Sequence, residues 1–390
     1  MEFFKRETNI DFCGSFGTCL VASAVLIASG LAYTAYRGLN YGIDFAGGYE
    51  IQAKFDKAVP ESTIRELIEP LGLGDARVQR YGPVEANEHL ILFREHGSLT
   101  DAQKAELRGE MEALAGGADK LVNLAIAESG ERVVVEFGQS VTEEQLRSVF
   151  AKYKIGVKSM TRSPREDQPE YTVLTVSFAD KIEQALRAGL QIPGEAKIIR
   201  RVEFVCPQVG AQLRTQGLLA VLASLFFMLI YVAVRFDLFF APGALVSLVH
   251  DVLVMFCAYG ILQLYFDLSA VAVLLTLVGY SINDTIVVYD RIRENLVKLR
   301  GRETRALVNA SINQTLSRTI LTGGSTILAL LALIFFGGEV IKDFAIAMLV
   351  GLITGTYSSI FVATPFYVWL KERSDRRAAK LPSGREAAAV

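Results

Sequence analysis

Six apolar runs decide what this chain can fold into. They lie at Cys13–Tyr36, Leu213–Val234, Phe239–Leu264, Leu268–Tyr289, Thr319–Phe336 and Ile341–Leu370. Each approaches or exceeds the roughly 20 residues a helix needs to cross the hydrocarbon of a bilayer. Backbone groups in lipid must satisfy one another, so runs of this length predict helices. Thr364-Pro365 marks either the end of the last, long run or a kink within it. The first run competes with a cleaved signal peptide, whose apolar core is only about 7–15 residues. Its greater length predicts a retained anchor.

Composition agrees with a mixed architecture. The chain is 51% hydrophobic yet 21% charged, with a mean hydropathy of +0.33. That is too apolar for an ordinary soluble protein and too charged for membrane helices alone. The charged excess falls largely in Arg37–Gln212, a polar insert after the first run. A net charge of −2 gives no argument for nucleic acid, and three histidines are too few for a metal cluster. Cys13, Cys19, Cys206 and Cys257 show no metal-like spacing, and only Cys206 lies in the insert, which argues against a disulfide framework. No nucleotide-binding loop, nucleophile triad or zinc signature is present.

Basic residues set the orientation. The connection 290–317 carries Arg291, Arg293, Lys298, Arg300, Arg302 and Arg305, and the tail carries Lys371, Arg373, Arg376, Arg377, Lys380 and Arg385. The short connections near Phe266–Asp267 and Gly337–Glu339 carry none. Cytoplasmic loops collect Lys and Arg, so residues 1–12, the 290–317 loop and the 371–390 tail are expected in the cytoplasm. The insert then lies outside the cytoplasmic membrane.

The insert opens with Tyr41-Gly-Ile-Asp-Phe-Ala-Gly-Gly-Tyr49, where Gly42, Gly47 and Gly48 permit tight turns around Asp44. Strands are expected near Tyr49–Phe55, Ala76–Tyr81 and His89–Arg94, with helices from Pro60 and over Thr100–Leu114. Further strands are expected at Arg132–Phe137, Ile155–Thr161, Tyr171–Phe178 and Ala196–Val205. The helices Thr142–Tyr153, capped by Ser140 or Thr142, and Lys181–Leu190 separate them. Two readings stay open. One has two ferredoxin-like β-α-β-β-α-β units, about 49–126 and 131–205, although the closing strand of the first is not evident. The other has a single unit, closed by Ala196–Val205, that carries a large insertion.

The fourth run contains the residue of most chemical interest, Asp284. An aspartate in a membrane helix costs roughly 2.5–3.5 kcal/mol on insertion scales, so it normally faces protein or water and serves a function. It shares a helix face with Tyr280, Ser281 and Val288, and Asn283 adjoins it. The fifth run begins with a polar stripe that includes Arg318, Thr319, Thr322, Ser325 and Thr326. An antiparallel pair of helices places Arg318 and Asp284 at similar depth. Such a carboxyl is suited to binding and releasing a proton; a static ion pair that fixes helix packing is the competing reading. His250 and Asp251, near the middle of the third run, either extend a proton path or bond a neighbouring helix. Asp290, Arg291, Arg293 and Glu294 read as a solvated charged face. Gly351 and Gly355 have the spacing that lets helices approach closely.

At this point the motifs resemble a known family. GIDFAGG at Gly42–Gly48, VCPQVG before the second run, HDV at His250–Val252 and GYSINDTIVVYDRIREN at Gly279–Asn295 are similar to SecF proteins. SINQTLSRTILTGGSTILALLAL at Ser311–Leu333, and FGG followed by GTYSSIF, match the same family. The resemblance implies a six-helix half of an RND-type membrane fold with an α+β ferredoxin-like periplasmic domain and both termini cytoplasmic. It implies a SecD homologue as partner, the SecYEG translocon and YajC as neighbours, and exported unfolded polypeptides as cargo. Protons are the implied coupling ion, with no other cofactor. Asp284 falls on the family's intramembrane aspartate and Arg318 on the arginine of its LSRT motif, both implicated in proton movement. His250 and Asp251 match a further family motif. The insert departs from the family pattern of one ferredoxin-like unit, because residues around Gly116–Gly194 have no obvious counterpart there.

The leading expectation is therefore a proton-driven subunit of protein export, not an enzyme. A half-transporter for a lipid or small molecule and a passive translocon scaffold are the alternatives.

Overall fold

The computed structural model describes residues 8–73, 76–81, 84–94, 99–163, 170–193, 197–236, 239–337 and 339–380. The chain divides into a membrane-type unit, Met1–Tyr41 with Thr215–Val390, and a second unit, Gly42–Arg214. Residues 1–7 and 381–390, parts of the two expected cytoplasmic ends, lie outside the described residues.

Helix α1 (Phe16–Arg37) is followed by the single turn α2 (Ile43–Ala46), strand β1 (Gly48–Lys54) and α3 (Glu61–Ile68). Strands β2 (Arg77–Tyr81) and β3 (Glu88–Phe93) lead to α4 (Asp101–Leu114), then β4 (Leu121–Ile126) and β5 (Arg132–Phe137). Next come α5 (Glu143–Lys152), β6 (Val157–Arg162), β7 (Glu170–Thr175), α6 (Phe178–Leu190) and β8 (Ile199–Val205). The remaining elements are helical: α7 (Pro207–Arg235), α8 (Ala241–Leu262), α9 (Leu268–Lys298), α10 (Thr304–Phe336), α11 (Glu339–Ser358) and α12 (Thr364–Lys380).

Six of these helical stretches, with α11 and α12 counted as one, are long and apolar enough to cross a membrane. Ile341 onward stays helical past Pro365, because a π-turn at Ser359–Ala363 absorbs the proline. The Thr364 hydroxyl there donates to the Ser359 carbonyl at 2.9 Å. The expected basic loop 290–317 is corrected. Helix α9 runs on to Lys298 and α10 starts at Thr304, so the connection shrinks to a few residues. Good helix formers occupy the stretch, and Arg291 and Lys298 each pair with Glu294 at three- and four-residue spacing.

The second unit contains two four-stranded antiparallel sheets, ordered β2-β3-β1-β8 and β4-β5-β7-β6. Along the chain the order is β-α-β-β-α-β twice, but the strand that closes the first sheet is β8, as the single-unit reading closed by Ala196–Val205 expects. The two contiguous units expected at 49–126 and 131–205 do not form. The last helix and strand of each repeat change places: α6 and β8 complete the sheet of β1, while α4 and β4 complete that of β5. The hydrophobic clusters follow the exchange. Ala179, Ile182 and Leu186 of α6 pack with Tyr49, Ile51 and Ile91, whereas Leu107 and Met111 of α4 pack with Val133, Val135 and Phe150. The turn between β4 and β5 supplies a physical reason. It closes with Gly130 N–H donating to Ala127 O and Ala127 N–H to Arg132 O, both at 2.8 Å. So short a hairpin holds β4 beside β5 and away from β1.

The helices carry the expected start signals. Thr100, Thr142 and Ser177 each form a capping box with the residue three positions on. Where the two lobes meet, the Tyr49 hydroxyl donates to Ser129 O at 3.3 Å, and Lys158 pairs with Asp180 at 2.5 Å. Burial pushes the nearby Glu131 carboxyl above its ordinary value of 4.5, and the Asp180 charge adds to this against the Tyr49 and Lys158 contributions.

Gly42, Asp44, Gly47 and Gly48 form the one-turn α2 and the start of β1. Gly47 has φ +73°, and a Cβ there would lie 2.8 Å from Pro207 Cα. Gly48 has φ +120° and abuts the Phe93 carbonyl. Both are glycines because backbone passes backbone at this point.

Candidate functional site

The polar groups of the membrane-type unit gather where α8, α9 and α11 meet. Asp251 and Asp284 are 1% and 2% exposed. An isolated buried carboxylate costs several kcal/mol unless hydrogen bonds compensate it, so the partners of each decide what it can do.

Asp251, on α8, is densely bonded. Ser281 of α9 donates to its Oδ2 at 2.5 Å, and Ser358 of α11 donates to the same oxygen at 2.8 Å. His250 Nδ1 lies 3.0 Å from Oδ1. Ser247 donates to Ser358 Oγ at 3.0 Å and extends the network. Gly351 and Gly355 make this convergence possible. A Cβ on Gly355 would meet Ser281 Cβ at 3.0 Å, and one on Gly351 would meet Leu277 at 3.1 Å. Without side chains at these points α11 sits against α9, and Ser358 reaches a carboxylate on a third helix.

Asp284, one turn from Ser281 on α9, is bonded differently. Its hydrogen-bond partner is the Thr356 hydroxyl at a long 3.5 Å. The Tyr280 hydroxyl, on the preceding turn, is buried without a hydrogen-bond partner among the described residues. Gly323 of α10 borders both groups, since a Cβ on it would lie 3.8 Å from Thr356 Oγ1 and 4.0 Å from the Tyr280 hydroxyl. Buried polar groups are normally satisfied, and exceptions need an explanation. Here the unpartnered hydroxyl lies across Gly323 from the Thr356 hydroxyl that bonds Asp284.

No ion pair joins Arg318 to Asp284 among the described residues. Arg318 sits exposed on the outer side of α10. Thr322 and Ser325, at four- and three-residue steps, are exposed on the same side, while Thr319 is buried. Thr322 and Ser325 donate to carbonyls of their own helix. Asn283 is exposed too, in a groove of about 510 Å³ between α7 and α9 lined by Ser224, Phe227 and Tyr231. The structure therefore brings together Asp284, Asp251, His250, Ser281, Gly351 and Gly355. It leaves Arg318, Asn283, Thr322 and Ser325 on the outer surface.

Sequence reasoning missed Ser247, Thr356, Tyr357 and Ser358. Tyr357 joins α11 to α1, donating to Cys19 O at 2.9 Å and lying 2.9 Å from Ser23 Oγ. The polar run from Thr354 to Ser359 inside an apolar helix was the available signal. No group of His, Cys, Asp and Glu suited to a metal ion occurs among the described residues.

Comparison with known proteins agrees with this layout. Residues 188–373 match the model of the SecD/SecF protein export membrane protein, C-terminal region, and residues 37–59 match the SecD/SecF GG motif. A protein translocase subunit SecF from Koribacter versatilis is 38% identical, over 98% of this chain and 96% of its own. One from Magnetococcus marinus is 36% identical, over 97% of both. Matches of this length include most of Gly116–Gly194, so the view that this stretch has no counterpart among relatives is corrected. Among solved structures, SecDF from Thermus thermophilus, described as a translocon-associated membrane protein, superposes with a TM-score of 0.63 at 32% identity. The match covers 95% of this chain and 40% of that longer one. A further SecDF structure gives a TM-score of 0.52 at 28% identity. Identity at this level over nearly the whole chain shows the family: the chain belongs to the SecF family of protein translocase subunits.

Proposed function

We propose that this chain is the SecF half of a proton-driven accessory complex of protein export, and that it is a transport subunit without enzymatic activity. Asp284 is the proton carrier. The observation that carries this reading is a buried carboxyl held by one long hydrogen bond. A carboxylate so placed is costly when charged and free to exchange partners. Asp251, with its two serine donors and His250, is the fixed anchor beside it and links α8, α9 and α11.

A SecD homologue is the partner, and it covers the outer side of α10. Arg318, Thr322 and Ser325 there are costly against lipid and well suited to a polar protein surface. The matched SecDF chains, of which this chain spans only about 40%, support that pairing. The SecYEG translocon, YajC and exported unfolded polypeptides complete the proposed setting, in a bacterial inner membrane. The basic ends and the α9–α10 connection face the cytoplasm, and the two-lobed unit lies in the periplasm. Moving one charge across the membrane is worth about 2.3 kcal/mol per 100 mV. A few protons thus supply the roughly 5.5 kcal/mol that reverses a two-state population from 1:99 to 99:1.

The test is release of a translocating preprotein from membrane vesicles holding this chain and its SecD partner, with and without a proton gradient. Asp284→Asn at matched abundance should lose the gradient-dependent part and keep the rest. Full gradient dependence in that variant would leave a scaffold whose buried charges only pack helices.

A further inference from the structure

The end of α12 carries a side-chain arrangement that neither the proton site nor the helix packing uses. Trp369, Arg373 and Arg377 follow one another at four-residue steps and so share one helix face. With Glu372 and Arg376 they line a cavity of about 380 Å³. Trp369 is 53% exposed and sits where the apolar run gives way to charged residues, the level at which tryptophan marks a membrane interface. Its ring packs edge-on to Phe366, and the Arg373 guanidinium lies 5.4 Å from the ring centroid.

The charges in the cavity do not balance. Its acidic residue, Glu372, is engaged by Arg305 at 2.8 Å and by Arg376 at 3.6 Å. Asp375, the next acidic residue on the helix, pairs with Lys371 at 3.0 Å. Arg373 and Arg377 therefore have no carboxylate partner among the described residues. Two guanidinium groups one turn apart, above an aromatic ring at the bilayer edge, match a phosphate group tethered to acyl chains.

We propose that Trp369, Arg373 and Arg377 form a binding site for the phosphate headgroup of an anionic phospholipid. The arginines hold the headgroup, and Trp369 lies beside the first carbons of the chains. Arg376 borders the same cavity, but its pairing with Glu372 leaves it no part in holding the headgroup.

Trp369 is the only tryptophan of the chain, so its fluorescence reports on this place alone. The experiment uses the full chain in nanodiscs and compares quenching by brominated phosphatidylglycerol with quenching by equally brominated phosphatidylcholine. The charged lipid should half-quench at roughly one-thirtieth the mole fraction of the neutral one, as two basic side chains at about 1 kcal/mol each imply. Arg373→Gln with Arg377→Gln should abolish that preference, whereas Arg376→Gln should keep it. All three side chains are exposed, and unchanged helical circular dichroism verifies that the variants fold. Inorganic phosphate in large excess should leave the quenching unaltered. Equal quenching by the two lipids overturns the site. So does an equal loss of preference in Arg376→Gln, which would reduce it to a general basic surface, or displacement by free phosphate.

Discussion

Asp251 and Asp284 are both buried in the same group of helices, yet they are built in opposite ways. Asp251 accepts from Ser281 and Ser358 and is joined by His250. Asp284 has one long hydrogen bond among the described residues, from the Thr356 hydroxyl at 3.5 Å. Burial alone therefore does not identify a working carboxyl. A carboxylate with donors on three helices is part of the scaffold, whereas one with slack bonding can change its protonation and its partners. The proposed division of labour follows, with Asp251 holding the helices and Asp284 carrying the proton.

The sharpest break between the two is functional. Asp284→Asn should abolish the gradient-dependent component of preprotein release while the protein assembles at normal abundance. Asp251→Ala should do the reverse first, because it strands the Ser281 and Ser358 hydroxyls. Hydrogen bonds between membrane helices average about 0.6 kcal/mol, and orphaned donors add to the loss, so about 2 kcal/mol is expected. Unfolding in mixed micelles, followed by circular dichroism, measures it. Gly355→Val tests how the anchor is assembled. Its side chain would strike Ser281, force α11 outward and cost about 1–3 kcal/mol as overpacking. Ser358→Ala, which removes one donor to Asp251 and the acceptor of Ser247, should cost about 1 kcal/mol and leave gradient dependence intact.

A smaller effect is expected in the two-lobed unit, where Glu131 is a third carboxyl in a confined place. Burial raises its proton affinity in the folded state. The stability it supplies is complete below the ordinary carboxylate value of 4.5 and is lost as pH rises through the higher folded value. Glu131→Gln should thus stabilise the protein at neutral pH and have little effect in acid, which thermal melts at both pH values would compare. Equal effects at both would mean the carboxyl gains nothing from protonation.

Much of the scaffold was legible in the sequence because one-dimensional patterns encode it. The apolar runs fixed the six spans, capping residues such as Thr142 fixed helix starts, and an aspartate among apolar residues marked Asp284. Closure of the first sheet by Ala196–Val205 was one of two open readings, but the placement of α4–β4 in the second sheet was not legible. Strand β4 is a partly exposed edge strand, and its choice between β1 and β5 depends on a turn closing in space. The Asp251 anchor was equally hidden, since Ser281 and Ser358 meet only through the register of α9 against α11, set by Gly355. Arg318 shows the converse. Matching depth along two helices suggested an ion pair with Asp284, but the rotation of α10 turns the guanidinium outward.

The most direct test of the central claim is infrared difference spectroscopy of the full chain with its SecD partner in lipid, across a pH titration. A protonated-carboxyl band should rise and fall with pH, vanish in Asp284→Asn and persist in Asp251→Asn. A titrating band that survives Asp284→Asn and disappears with Asp251→Asn would assign the proton to the well-bonded carboxyl and contradict the account.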